Sequence, residues 1–131
     1  CRPVSLKNAS IDIIKSKFPK ARLMQSVADT TKGTVSLMQP DEKSVRNIAP
    51  ANIVSIVFPK YQADTVGHFL EKTKSDTFVE LIQNSFNYHV ISKESFGIAG
   101  DIIDKAKCLT YTYSDIDKAI ADFDKLISET K

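Results

Sequence analysis

Apolar residues recur along this chain first at every second position and then at every third or fourth, and the switches between these periods mark out its elements. Val4-Ser5-Leu6 alternates like a short strand. Asn8 or Ser10 can cap the helix that follows, whose Ile11, Ile14 and Phe18 share one face. Pro19 ends that helix, because the residue ahead of a proline is pushed out of the α region. Beyond a polar connection holding Arg22, Thr34 to Met38 alternates as a strand ended by Pro40, and Asp41 to Asn47 reads as a charged turn or one short helix. The run Ile53-Val54-Ser55-Ile56-Val57-Phe58 is almost unbroken apolar. It predicts a strand buried on both faces at the centre of a sheet and stopped by Pro59. Phe69-Leu70 suits a short edge strand.

The second half is mainly helical. Thr77 and Glu80 have capping-box spacing, and Phe78, Leu81, Ile82 and Phe86 form one stripe that Asn87 can terminate. Ser92 can cap a further helix with Phe96, Ala99, Ile103 and Ala106 facing inward, where close packing is the expected reason for Gly97 and Gly100. Cys108 to Tyr113 alternates β-branched and aromatic types as a clear strand. A last helix from Ser114 buries Ile116, Ala119, Ile120, Phe123, Leu126 and Ile127. This order predicts an α/β fold with a mixed sheet and flanking helices, as one domain over 1–131.

Composition narrows the function classes. The 131 residues suffice for a core without staples. Eighteen basic and sixteen acidic residues give a net charge of +2, and the lysines are dispersed, so no nucleic-acid partner is expected. No apolar run approaches the roughly 18 residues needed to span a bilayer. With no charged-then-apolar leader at its start, the chain is expected to be cytoplasmic, without a membrane partner. Cys1 and Cys108 read as reduced thiols, and His68 and His89 lack ligand-spaced partners, so no metal site is expected. A start at Cys1, almost directly ahead of a strand, suggests a piece of a longer protein.

The segment best suited to touch a ligand is Asp29-Thr30-Thr31-Lys32-Gly33-Thr34-Val35. Hydroxyls, an ammonium and a glycine free to take positive φ can converge on phosphate oxygens. The lysine precedes the glycine, however, and the Walker string G-x-x-x-x-G-K-[ST] occurs nowhere, so a plain turn entering a strand accounts for the same residues. Ligands of open α/β sheets gather outside the carboxyl ends of strands, which singles out Lys7, ahead of a helix start, and Lys60, after the apolar strand. Lys32 joins Lys7 and Lys60 on one anion-binding rim only if its strand runs antiparallel to the others; Arg46 is a fourth candidate for the same rim. Asp29 reads as a turn former, Tyr61, Tyr111 and Tyr113 as half-buried packing residues, and the aspartates of the tail helix as a solvated face.

Arg2-Pro3-Val4-Ser5-Leu6-Lys7-Asn8, the 29–35 segment, Ile56-Val57-Phe58-Pro59-Lys60-Tyr61, Asn84-Ser85-Phe86-Asn87-Tyr88 and Tyr113-Ser114-Asp115-Ile116-Asp117, in that order, resemble the C-terminal part of the HPr-kinase-related family. The resemblance covers essentially the whole chain. It implies a bacterial phosphotransferase with a domain of the HPr kinase and phosphoenolpyruvate carboxykinase fold group, using ATP and Mg in the parent protein. The P-loop and acidic metal motif that precede the Arg-Pro-Val-Ser-Leu-Lys-Asn segment in that family are absent here, so this chain alone is expected to bind neither cofactor. The implied partners are the missing N-terminal P-loop portion and a small-molecule or protein hydroxyl acceptor. By the same resemblance, Lys7, Asn8, Thr30, Thr31, Lys32 and Gly33 would line the phosphate or acceptor side of the cleft. The other reading is a non-catalytic binding module that retains a remnant of the fold.

Overall fold

The computed structural model describes residues 2–29, 31, 33–47, 49–85 and 88–129, with backbone alone at 29 and 89–92. The chain forms two compact units, Cys1–Pro50 and Ala51–Lys131, each with its own three-stranded sheet. It is α/β throughout, one sheet antiparallel and the other mixed, with helices flanking both.

In the first unit β1 (Val4–Lys7) leads into α1 (Ala9–Lys17), then β2 (Val27–Asp29), β3 (Gly33–Met38) and α2 (Glu42–Arg46). The sheet order is β1-β3-β2, all antiparallel, with Lys7 opposite Val35 and Asp29 opposite Gly33. Leu6, Ser36 and Ile11 are the buried residues around which α1 closes, and the Ser36 hydroxyl donates to the Met24 carbonyl at 2.7 Å. Strand β2 has no counterpart in the sequence reading: its three residues Val27-Ala28-Asp29 are too few to show a period. α2 is capped by Asp41, which accepts from the Ser44 backbone N–H at 2.9 Å and from its hydroxyl at 2.6 Å. Those bonds hold the Asp41 carboxyl below its ordinary pKa.

The second unit runs β4 (Ser55–Tyr61), β5 (His68–Glu71), α3 (Lys74–Gln83), α4 (Tyr88–Lys105), β6 (Lys107–Tyr113) and α5 (Ile116–Glu129). Its sheet order is β4-β6-β5, with β4 parallel and β5 antiparallel to β6. The central strand is therefore β6, not the 53–58 run. Ile53 and Val54, 52% and 47% exposed, precede β4, and β4 is an edge strand of this sheet. Pro59 does not stop it. Lys107 N–H donates to the Val54 carbonyl and Gln62 N–H to the Tyr113 carbonyl, so the even-numbered residues between bond to β6. Pro59 is odd-numbered; its missing N–H falls on the outer edge, where a proline is tolerated.

The helices also begin and face differently from expectation. α3 is capped by Thr73, whose hydroxyl donates to the Asp76 carboxylate at 2.7 Å and accepts from the Asp76 N–H at 3.1 Å. Thr77 sits inside α3, fully buried, and Glu80 pairs with Lys72 at 3.0 Å instead of capping. Ser92 lies within α4, and Phe86 and Asn87 fall outside the described residues. Ala99, Ile103 and Ala106 are buried as expected, but Phe96 is 60% exposed. Nothing lies within 4 Å of where a Cβ would stand on Gly97 or Gly100, so close packing does not explain them.

Candidate functional site

Among the described residues Asn8 and Asp64 are the non-glycine residues with positive φ, and Asn8 stands at the junction of β1 and α1. Asn8 has φ 49° and ψ −129°, the conformation of the first central residue of a type II′ turn, ordinarily a glycine. Tertiary bonds hold it there. Its N–H donates to the Thr34 carbonyl at 2.9 Å, and its side-chain Oδ1 accepts from the Thr34 N–H at 3.0 Å. That Oδ1 is therefore taken, and the Asn8 side chain makes no cap to α1. The Ser10 hydroxyl closes the turn instead, accepting from the Lys7 N–H at 2.8 Å and donating to the Lys7 carbonyl at 2.7 Å.

Across from Asn8, β2 ends at Asp29 and β3 begins at Gly33, its partner in the antiparallel pair, and Gly33 takes φ 78°. A Cβ on Gly33 would collide with the Asn8 side-chain amide. Glycine is thus required at 33 twice, for its backbone and for the asparagine laid against it. Because β3 is antiparallel to β1, the exit of β1 and the entry of β3 coincide, which is the condition set for Lys32 to join Lys7. Thr30 and Lys32 themselves lie outside the described residues, and Thr31 is exposed.

Of the sequence candidates, the structure brings together Lys7, Asn8 and Gly33. Arg46 belongs to the other end of β3. It is exposed on α2 and pairs with Glu42 at 3.8 Å; Glu42 also reaches Arg22 at 3.6 Å, beside the β3 exit. Lys60 lies within β4 of the second unit, opposite Thr112, not beyond the strand's end. Sequence reasoning counted Thr34 among the hydroxyls of the 29–35 segment without its backbone bonds to Asn8, and passed over the closing role of Ser10, which only the N-x-S spacing ahead of Ile11 signalled.

In the second unit a polar contact is built around Tyr111. The Tyr111 hydroxyl donates to Asp122 at 2.7 Å, and Gly67 packs so closely that a Cβ there would stand 2.7 Å from that hydroxyl. Tyr111 is fully buried among Phe69, Phe123 and Tyr113, so it is a core residue, while Tyr61 is 64% exposed. Asp122, assigned from sequence to a solvated face, instead holds this tyrosine. Burial, then the bond and the charge of Asp122, push the Tyr111 pKa up to about 12.

Among the described residues no group of three or more His, Cys, Asp and Glu could hold a metal ion. No helix among them is long and apolar enough to cross a membrane. Comparison with protein-family models, curated proteins and solved structures finds no match to this chain.

Proposed function

We propose that this chain forms the phosphate or acceptor side of the cleft of an HPr-kinase-related serine kinase, with the nucleotide grip supplied by a P-loop portion outside these residues. The observation that carries the reading is the first turn of α1. Its amides receive no side-chain cap from Asn8, the dipole favours negative charge there, and Lys7 stands directly beside it. The strained Asn8, locked to Thr34 and Gly33, keeps its side chain off that turn, where Ile11 N–H donates to the Asn8 carbonyl and Ala9 and Ser10 supply the remaining first amides.

Phosphoryl transfer depends on positioning and charge neutralisation, and this corner can do part of both. Its amides would receive phosphoryl oxygens while Lys7 offsets their charge. The sequence has no Walker loop, so the nucleotide grip of ATP·Mg is assigned to the portion outside these residues. The second reading is a module that binds an anion and does no chemistry.

Titrating the chain with inorganic phosphate at fixed ionic strength tests the corner. Saturable shifts are expected at the amides of Ala9, Ser10 and Thr34, and Gly33→Ala, which displaces the asparagine, should abolish them. Unmoved amides there would sink the reading. Phosphoryl transfer by the full gene product, lowered by Lys7→Ala, separates kinase from module.

A further inference from the structure

The registered strands of the second sheet place Lys60, Thr112 and His68 in one row. Residues opposite one another on neighbouring strands share a face. With strands about 4.8 Å apart, an ammonium stem, a hydroxyl and an imidazole stand side by side within roughly 10 Å. Towards the amino end of β6 this face is closed, since Cys108 is buried with its thiol against the Ile103 and Ala106 carbonyls. Towards the carboxyl end it is open: Lys60 and His68 are exposed and Leu70, on the same face, is 57% exposed.

The row is chemically unspent. Among the described residues neither the Lys60 ammonium nor the Thr112 hydroxyl has a partner. His68 Nδ1 lies 2.9 Å from the Val66 carbonyl oxygen, to which it donates, leaving Nε2 as the ring atom for a ligand. Glu71 is out of phase with His68 and Leu70 and so faces the opposite side, where Asp122 is already held by Tyr111.

We infer that Lys60, Thr112 and His68 form an oxyanion site for a phosphate or phosphate-monoester group. Donor-bearing side chains side by side on three neighbouring strands suit the oxygens of a tetrahedral group. The row lies at the carboxyl ends of the parallel strands β4 and β6, where α/β sheets place ligands. The inference deepens the phosphate reading of Lys60 and is independent of the Asn8 corner, which belongs to the other unit.

The test is a titration of the whole chain with inorganic phosphate and with phenyl phosphate at fixed ionic strength, following the His68 ring nitrogens and the Thr112 amide by NMR. Saturable shifts at both are expected. Lys60→Ala should weaken binding about tenfold, as loss of a charge-assisted bond does. Thr112→Val should weaken it too, Thr112→Ser should restore it, and Lys93→Ala, an exposed charge on α4, should leave it unchanged. Tighter phenyl phosphate identifies an organic ester resting on Leu70; equal affinities identify free phosphate. Signals that stay fixed, shifts that chloride reproduces, or a Lys60→Ala chain that binds as before would overturn the site, whatever the Asn8 corner does.

Discussion

Two buried hydroxyls show how context decides the worth of a single polar group. Thr77 is fully buried and its hydroxyl has no hydrogen-bond partner, so folding strips it of water without compensation. Thr77→Val, which keeps the shape, is expected to leave the denaturation midpoint unchanged or raise it by up to about 1 kcal/mol of stability. A clear loss would mean that the hydroxyl is partnered. Tyr111 is the opposite case, because its hydroxyl donates to Asp122 and the neutral form is favoured up to a pKa of about 12. A raised folded-state pKa stabilises below the unfolded value of 10.0 and is lost as pH rises through the folded value. One of the four tyrosines should therefore ionise late in an absorbance titration, with stability falling in the same window. Tyr111→Phe should remove that late step and cost about 1–3 kcal/mol at neutral pH by leaving Asp122 without its donor.

At the scale of elements, the sequence disclosed most strands and helices and misplaced the centre of the second sheet. Hydrophobic run length favoured 53–58, yet β6, which alternates, is the central strand. Alternation there reflects two different covers, α5 packing on Tyr111 and α4 on Cys108, not one wet face. Leu109→Ala is accordingly expected to cost about 2–5 kcal/mol, the range for truncating a buried leucine. Val57→Ala, on the half-buried edge strand, should cost less, and equal losses in chemical denaturation would refute the assignment of β6 as centre. Helix starts were legible only where the cap was unambiguous. Two threonines four residues apart, Thr73 and Thr77, each have an acidic residue three positions on, and only the structure shows that Thr73 caps. The candidate site was legible in part for a similar reason. Glycine and lysine content pointed to 29–35, but the partner of Gly33, Asn8, lies 25 positions earlier in sequence, and only the antiparallel register joins them.

For the whole molecule, the separation into two units changes what the lysines can mean. Lys7 stands at a helix start in one unit and Lys60 in a cross-strand row of the other, so each is a site to be tested by itself. Neither unit supplies a Walker loop, and no metal-holding group occurs among the described residues. A rate of phosphoryl transfer above background needs both charge neutralisation and an oriented nucleophile, and amides with lone lysines offer only fragments of the first. The chain incubated with ATP and magnesium is therefore expected to hydrolyse and transfer nothing, and the phosphate binding proposed for it is expected to weaken as salt rises. Turnover that survives extensive purification and disappears in Lys7→Ala would show that the corner at Asn8 is a complete active site, and the need for a separate P-loop portion would fall with it.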